Sequence, residues 1–233
     1  MENIINQLHS HLREQNEIIS ISGPSASGKT TLALQLVSNL IRPNKDEKCI
    51  WIQAGESFPK RRLVSLLSGD LTRKKYLLHN TFIFPSDHVI SSFEEQKELL
   101  SRISTQLYPP STRYFVIDNI SHHLRLYLSL MQDFSQRSKA VNSFFDEILF
   151  PLIMRCEREL ITFIMIHEVS QDPNSGKIRP FYDNLFSRIK SVSFSFQGSI
   201  LFGTQLLFFT PQGKPTLQLL YELKDEGLFT CSL

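Results

Sequence analysis

Residues 17–41, EIISISGPSASGKTTLALQLVSNLI, decide how the rest of this chain is read. Ile18, Ile19 and Ile21 form a short apolar run suited to a buried strand. Leu32, Leu36 and Leu40 recur at i, i+4 and i+8, one stripe of a helix. Between them, Gly23, Pro24, Ser25, Ala26, Ser27, Gly28, Lys29 and Thr30 fit G-x-x-x-x-G-K-[ST], the pattern of a phosphate-binding loop. Strand, loop and helix come in the order that phosphate binding needs. In such a loop the backbone N–H groups of residues 25–29 wrap the phosphates, and the helix N-terminus adds positive potential. Lys29 is expected to reach the β- and γ-phosphates of ATP, the Thr30 hydroxyl to ligate Mg2+, and Thr31 to close the cofactor-binding run. A glycine turn that only joins strand to helix is the plain alternative. It leaves Lys29, at the head of an apolar helix, without a role.

The 233 residues suit one large α/β domain, because a sheet covered by helices on both faces needs such a length. Apolar content of 41% and charged content of 21% place the chain among ordinary soluble globules. Eighteen Phe predict an aromatic core or partner surface. A formal net charge of +2 is too small to argue for nucleic acid by itself, so such a partner has to be met by local basic loops. Cys49, Cys156 and Cys231 are far apart and odd in number, which suits a reducing compartment and gives neither a disulfide framework nor zinc spacing. No apolar run approaches the ~20 residues of a membrane span, and MENIINQLHSHLREQ reads as an amphipathic helix rather than a signal peptide. The expectation is an intracellular protein with no membrane and no zinc, cytoplasmic at the nucleoid in a prokaryote or nuclear in a eukaryote.

Hydrophobic patterning divides the chain further. Residues 2–14 read as a short helix with Ile4, Ile5, Leu8 and Leu12 on one face. Segments 49–52, 81–84, 114–117 and 161–166 read as buried strands. Helices are predicted after Pro59, from Ser92 to Leu107, and over 135–158 with a bend at Pro151. Ser92-Phe93-Glu94-Glu95 is a capping box. Residues 168–186, EVSQDPNSGKIRPFYDNLF, show neither a helical nor an alternating pattern, and a loop of that length is a functional candidate. Alternation at Val192, Phe194 and Phe196, an apolar strand over 200–209, a Pro211-Gln212-Gly213 turn and the segment 216–223 predict a β-meander. The predicted class is α/β, with a mainly parallel central sheet, helices on both faces and a C-terminal antiparallel β-meander. One domain is expected over 1–233: helix 1–15, nucleotide-binding core 17–167, candidate loop 168–186 and closing strands 187–233.

Asp118 carries the second signature. A carboxylate ending a buried strand downstream of the loop reads as a Mg2+ ligand, or as an N-cap for the helix beginning at Asn119-Ile120. Taken together, the order of motifs resembles the RecA/RadA recombinase superfamily, most of all the archaeal RadB-type paralogues. WIQAGESFPKRRL (51–63) is similar to the family's tyrosine-isoleucine-aspartate-threonine-glutamate-glycine segment and the phenylalanine and arginine-leucine that follow it. FIFPSDHVISSFEEQ (82–96) resembles the next strand and helix, and YFVIDNI (114–120) the second nucleotide motif. FIMIHEV (163–169) resembles the strand ending threonine-asparagine-glutamine-valine. The resemblance implies a RecA-like P-loop core that binds Mg·ATP and works in DNA recombination and repair, with weak or partner-dependent ATP hydrolysis. It implies single-stranded DNA and a recombinase-like subunit or homo-oligomer as partners. Residues 168–186 fall on the family's DNA loop. The family's helix-hairpin-helix domain and its Phe-x-x-Ala polymerisation element have no counterpart in the sequence read, which points to a paralogue or mediator.

The departures from the family bear on catalysis. In a gapless alignment anchored at Phe58 and Leu63, the family's water-activating glutamate falls on Gly55, and Glu56 is the candidate base one residue later. The γ-phosphate-sensing glutamine falls on Glu168, which cannot donate when ionised and repels phosphate unless Mg2+ or a basic neighbour intervenes. A structural strand-end glutamate is the alternative there. Lys29, Glu56 and Glu168 are thus the implied catalytic set. His167 and His122-His123 read as hydrogen-bonded polar residues rather than metal ligands. DNA contact is expected of Lys177, Arg179 and Arg188 in or beside the loop, with Arg125, Arg137 and Lys139 after Asp118. The GKIRPFY stretch interleaves cations with aromatics, as phosphate neutralisation and base stacking require. Lys60-Arg61-Arg62 and Arg73-Lys74-Lys75 read as solvated helix faces. Two other classes stay open: a nucleotide-binding regulatory or assembly subunit without catalysis, favoured by Gly55 and Glu168, and a small-molecule P-loop kinase.

Overall fold

The computed structural model describes residues 2–12, 17–171, 178–181, 183–201 and 204–231. The chain opens with β1 (Glu2–Asn3), α1 (Ile4–Leu8), β2 (Ile18–Ser22), α2 (Lys29–Leu40), β3 (Lys48–Gln53), α3 (Lys60–Leu66) and α4 (Leu71–Asn80). It continues with β4 (Thr81–Phe84), α5 (Phe93–Thr105), β5 (Thr112–Asp118), α6 (His122–Ser129), α7 (Phe134–Ser143) and α8 (Phe150–Arg158). Then come β6 (Thr162–His167), β7 (Val169–Gln171), β8 (Ile178–Pro180) and α9 (Asp183–Phe186). Last are β9 (Val192–Leu201), β10 (Thr204–Thr210), β11 (Leu217–Lys224) and β12 (Gly227–Thr230). Among the described residues, ten strands form one sheet in the order β1-β12-β11-β10-β9-β2-β6-β5-β3-β4. The strands from β9 to β4 in that order run parallel, and β10, β11, β12 and β1 extend the sheet antiparallel.

Alternating side chains on these strands feed two apolar layers. Ile19 and Ile21 of β2, with Tyr114 and Val116 of β5, join the layer under α1 and α2. Ile18, Phe115 and Ile117 join the opposite layer with Phe93, Leu124, Phe144 and Leu152. All six residues of β6 are buried, as expected for a strand covered on both faces. The sheet therefore matches the sequence reading: mainly parallel, helices on both faces, and an antiparallel meander at the C-terminal end.

Several boundaries differ from expectation. The predicted helix over 2–14 is shorter, because Glu2 and Asn3 pair with Thr230 and Phe229 of β12 before α1 begins. Over 135–158 the irregularity lies upstream of Pro151. Phe144–Leu149 widens into π-helical turns between α7 and α8, the insertion by which helices commonly absorb a local mismatch. The apolar run 200–209 is two antiparallel strands, since Leu201 pairs with Thr204. Within 168–186, β7 pairs antiparallel with β8, and Asp183–Phe186 forms a helical turn. In the capping box, the Ser92 hydroxyl accepts from Glu95 N at 3.1 Å, but the Glu95 carboxylate accepts from Ser91 N at 2.9 Å instead of from Ser92.

The meander supports the phosphate loop from behind. Gln35 of α2, buried, donates from Nε2 to Leu228 O at 3.3 Å and accepts from Leu228 N at 2.8 Å. The Tyr221 hydroxyl donates to Ser27 O at 2.8 Å and also touches the Gln205 amide. A Cβ on Gly23 would lie 2.5 Å from Phe196 Cβ, so only glycine lets β9 approach the loop this closely. Arg73 is not a solvated residue. Its guanidinium donates to Asn39 O at 3.1 Å and Ile41 O at 2.8 Å and touches Ser38 O, which satisfies the orphan carbonyls ending α2.

Candidate nucleotide site

The loop between β2 and α2 opens at the C-terminal edge of the sheet, beside the ends of β5 and β6. Ala26 (φ 59°) and Gly28 (φ 99°) take left-handed backbone, the conformation from which anion-binding nests are built. Lys29 Nζ donates to Gly23 O at 2.9 Å and Pro24 O at 2.6 Å. Burial pushes the Lys29 pKa down, opposed by the negative charges of Asp118, Glu168 and Glu56 in that order. Those three carboxylates therefore share one electrostatic environment with the lysine.

Thr30 Oγ1 donates to Asp118 Oδ2 at 2.8 Å. Asp118 is 8% exposed. Desolvation raises its pKa to about 6, the Thr30 hydrogen bond and Lys29 pull it down, and Glu56 pushes it further up. Asp118 does not cap the next helix: α6 begins after Ser121, and the turn before it is closed by Asn119, whose Oδ1 accepts from Ser121 N at 3.0 Å and His122 N at 3.1 Å. A hydroxyl and a carboxylate meeting beside a phosphate loop are hard oxygen donors suited to Mg2+. The raised pKa marks an incompletely balanced negative charge that a cation would relieve. The residues present thus fit Mg2+ with a nucleotide.

The turn after β3 brings Glu56 to the same cleft. Ala54 N and Gly55 N both donate to Asp118 O, at 2.7 and 3.0 Å, and His123 Nε2 donates to Ala54 O at 2.5 Å. Gln53 braces the turn, donating to Pro85 O and His88 O and accepting from Phe58 N. Gly55 faces Asn119 and His122, whereas Glu56 is exposed and lines the cleft of about 740 Å³ with Lys29, Thr30, Arg62, Asp118 and Glu168. Arg62 is a residue the sequence reading missed. It is half-buried and donates from Nη1 to Thr31 Oγ1 at 3.2 Å, which turns it away from solvent toward the phosphate loop.

At the end of β6, Glu168 meets two basic groups. His122 Nδ1 donates to Glu168 Oε1 at 2.8 Å, and Arg125 Nε lies 2.6 Å from Oε2. The basic neighbours that a carboxylate needs at this position are therefore present. Arg125, expected to face DNA, lines the nucleotide cleft. Of the other cations expected to contact DNA, Arg179 is exposed on β8 and Arg188 is exposed just after α9. Arg137 donates from Nε to Met131 O at 2.8 Å, and Lys139 lies on the exposed side of α7. Lys177 lies outside the described residues.

His167 also departs from expectation. Neither ring nitrogen has a hydrogen-bond partner among the described residues, and the fully buried ring packs edge-on against Phe186 at 4.3 Å. Burial lowers its pKa to about 3. Between that value and 6.5 the unfolded chain binds a proton that the native chain does not, so stability falls as pH falls. Relative to His167→Leu, the wild type is expected to lose about 2 kcal/mol of unfolding free energy between pH 6.5 and pH 5, at 1.36 kcal/mol per unit. Urea melts of both proteins across that range check this; parallel pH profiles would refute it.

Residues 1–139 match the sequence model of the NB-ARC domain, more than half of the chain. The chain belongs to the NB-ARC family. A solved structure described as the RadB recombinase superposes with a TM-score of 0.68 at 20% sequence identity, covering 92% of this chain and 90% of that one. No curated protein matches the sequence. The NB-ARC domain is a P-loop NTPase domain. The RecA-like resemblance read from the motifs thus holds at the level of fold, and this NB-ARC family member is a nucleotide-binding P-loop domain of RecA-like architecture. Among its described residues, no helix is long and apolar enough to cross a membrane, and no group of three or more His, Cys, Asp or Glu gathers to hold a metal.

Proposed function

We propose that this chain is an Mg·ATP-binding RecA-like recombinase paralogue or mediator that acts in DNA recombination and repair and binds single-stranded DNA. The observation that carries the nucleotide part is the Thr30–Asp118 contact beneath the phosphate loop, which gathers the two oxygen donors expected of an Mg·ATP site. Bound Mg2+ would neutralise phosphate charge, and Thr30 and Asp118 are the residues that would hold it. Loop amides and Lys29 would bind the phosphates themselves. Glu56 is the proposed base that would take a proton from water. The likeness to the RadB recombinase supports the DNA setting, and Arg179 and Arg188 are the described cations proposed for the strand.

Gly55 favours a second reading, a nucleotide-binding regulatory or assembly subunit with no turnover. It occupies the position where the base is expected, and the exposed Glu56 beside it is not held in place by any hydrogen bond among the described residues. An ATP turnover assay with and without single-stranded DNA separates the two. Turnover stimulated by DNA, lost in Glu56→Gln, supports the first reading, and nucleotide binding with no turnover supports the second. Lys29→Ala is expected to weaken nucleotide binding about thirtyfold, the scale of a lost charge-assisted contact. Unchanged affinity in that variant would remove the nucleotide assignment.

A further inference from the structure

We propose that Arg125 distinguishes nucleoside triphosphate from diphosphate in this cleft, and that Glu168 holds it back as an internal stand-in for the terminal phosphate. The inference rests on the nucleotide-binding reading above and adds a cis-acting arginine and its latch to it. Glu168 lines the cleft at the end of β6 and pairs there with His122 and Arg125. An ionised carboxylate cannot donate a hydrogen bond to a phosphate oxygen. Reading the terminal phosphate therefore falls to cations nearby, and two are in contact with that carboxylate.

His122 and Arg125 sit at i and i+3 on α6, so both side chains project from one face toward Glu168. Arg125 lines the same cleft as Lys29 and Thr30, and the Glu168 charge is felt by Lys29 itself. The carboxylate thus stands on the phosphate side of the site, bearing the sign of charge that a phosphate would bring. Its backbone is fixed in place: Glu168 N donates to Ser121 Oγ at 2.8 Å, and Glu168 O accepts from Phe181 N at 2.9 Å.

The latch is built to open. Arg125 approaches Glu168 Oε2 through Nε at 2.6 Å, close enough for an ion pair but off the direction of a hydrogen bond, since that buried oxygen has no aligned donor. The Arg125 side chain is 45% exposed, where an ion pair contributes little. Its two terminal NH2 groups hold no hydrogen bond among the described residues, which leaves a planar fork matched to two phosphate oxygens. A terminal phosphate offers Arg125 a bidentate partner in exchange for a misaligned one. A diphosphate lacks the group that would draw Arg125 away.

Calorimetric titration of the full chain with Mg2+ and either ATPγS or ADP tests this. Arg125→Ala is expected to weaken ATPγS binding about tenfold or more and to leave ADP within about twofold, the scale of one charged hydrogen-bonded contact. Glu168→Gln is expected to tighten ATPγS by about tenfold, because the competing carboxylate is gone and an amide donor has replaced it. Arg125→Lys, which keeps the charge without the fork, should fall between wild type and Arg125→Ala. Because Arg125 is exposed, its variants should melt with the wild type, and matched melting curves exclude loss of fold. Equal loss of both nucleotides in Arg125→Ala, unchanged ATPγS affinity in that variant, or weaker ATPγS binding in Glu168→Gln overturns the proposal while normal ADP binding leaves the nucleotide site standing. A wild type that binds neither nucleotide overturns both.

Discussion

Asp118→Asn is expected to stabilise the nucleotide-free protein by up to about 3 kcal/mol at pH 7 and to abolish Mg2+-dependent nucleotide binding. Asp118 is 8% exposed, and its folded-state pKa is raised from 3.8 to about 6, first by desolvation. A raised acid pKa means that the native state binds more protons than the unfolded chain between pH 3.8 and 6. That contribution to stability is fully present below pH 3.8 and is lost as pH rises through 6, so the neutral protein carries an ionised carboxylate at a cost. Asparagine removes the charge and keeps an oxygen to accept from Thr30. The gap between variant and wild type should vanish near pH 4 and open toward pH 7. Added Mg2+ and ATP should raise the wild-type melting temperature and leave that of the variant unmoved. A variant less stable than wild type at neutral pH, or one still stabilised by Mg·ATP, would contradict this account.

Gly227→Ala is expected to destabilise the fold by about 3 kcal/mol or more, the range for overpacking added to a forced backbone. Gly227 has a φ of +125°, which L side chains rarely adopt, and its added Cβ would lie 2.4 Å from Gln35 Nε2 and 2.9 Å from Leu66 Cδ2. Relief means moving Gln35, and Gln35 is the residue that clamps α2 to Leu228 through two hydrogen bonds. Breaking that clamp leaves buried polar groups unpaired and loosens the helix whose N-terminus carries the phosphate loop. Chemical denaturation gives the loss directly. Gly213→Ala is the control. Gly213 also has positive φ, at 69°, but meets no atom within 4 Å, so its cost should stay near 1 kcal/mol. Equal losses at the two glycines would show that contact with Gln35 contributes nothing.

Much of this architecture was legible because it rests on local repeats. The apolar run at 18–21, the leucine stripe after Thr30 and the carboxylate at the end of 114–117 are set by periods of two and 3.6 residues, which a linear reading detects. What failed locally failed for physical reasons. The segment 200–209 is apolar at both ends, so hydrophobicity alone merged two strands into one although Leu201 and Thr204 pair. The helix over 135–158 reads as continuous because π-helical turns cost no break in pattern.

Residues 23–30 and Asp118, by type and spacing alone, determine a phosphate loop and an acidic partner at the sheet edge. The tertiary structure decided the rest of the site. Arg62 read as one of three solvated cations, yet it bonds Thr31, 31 residues away. His122 and Glu168 meet across 46 residues, and Gln35 meets Leu228 across 193. Such partners share no period and no motif. They are brought together by the order of strands in the sheet, and only that order shows that the Glu168 carboxylate, at the end of β6, comes with the cations to balance it.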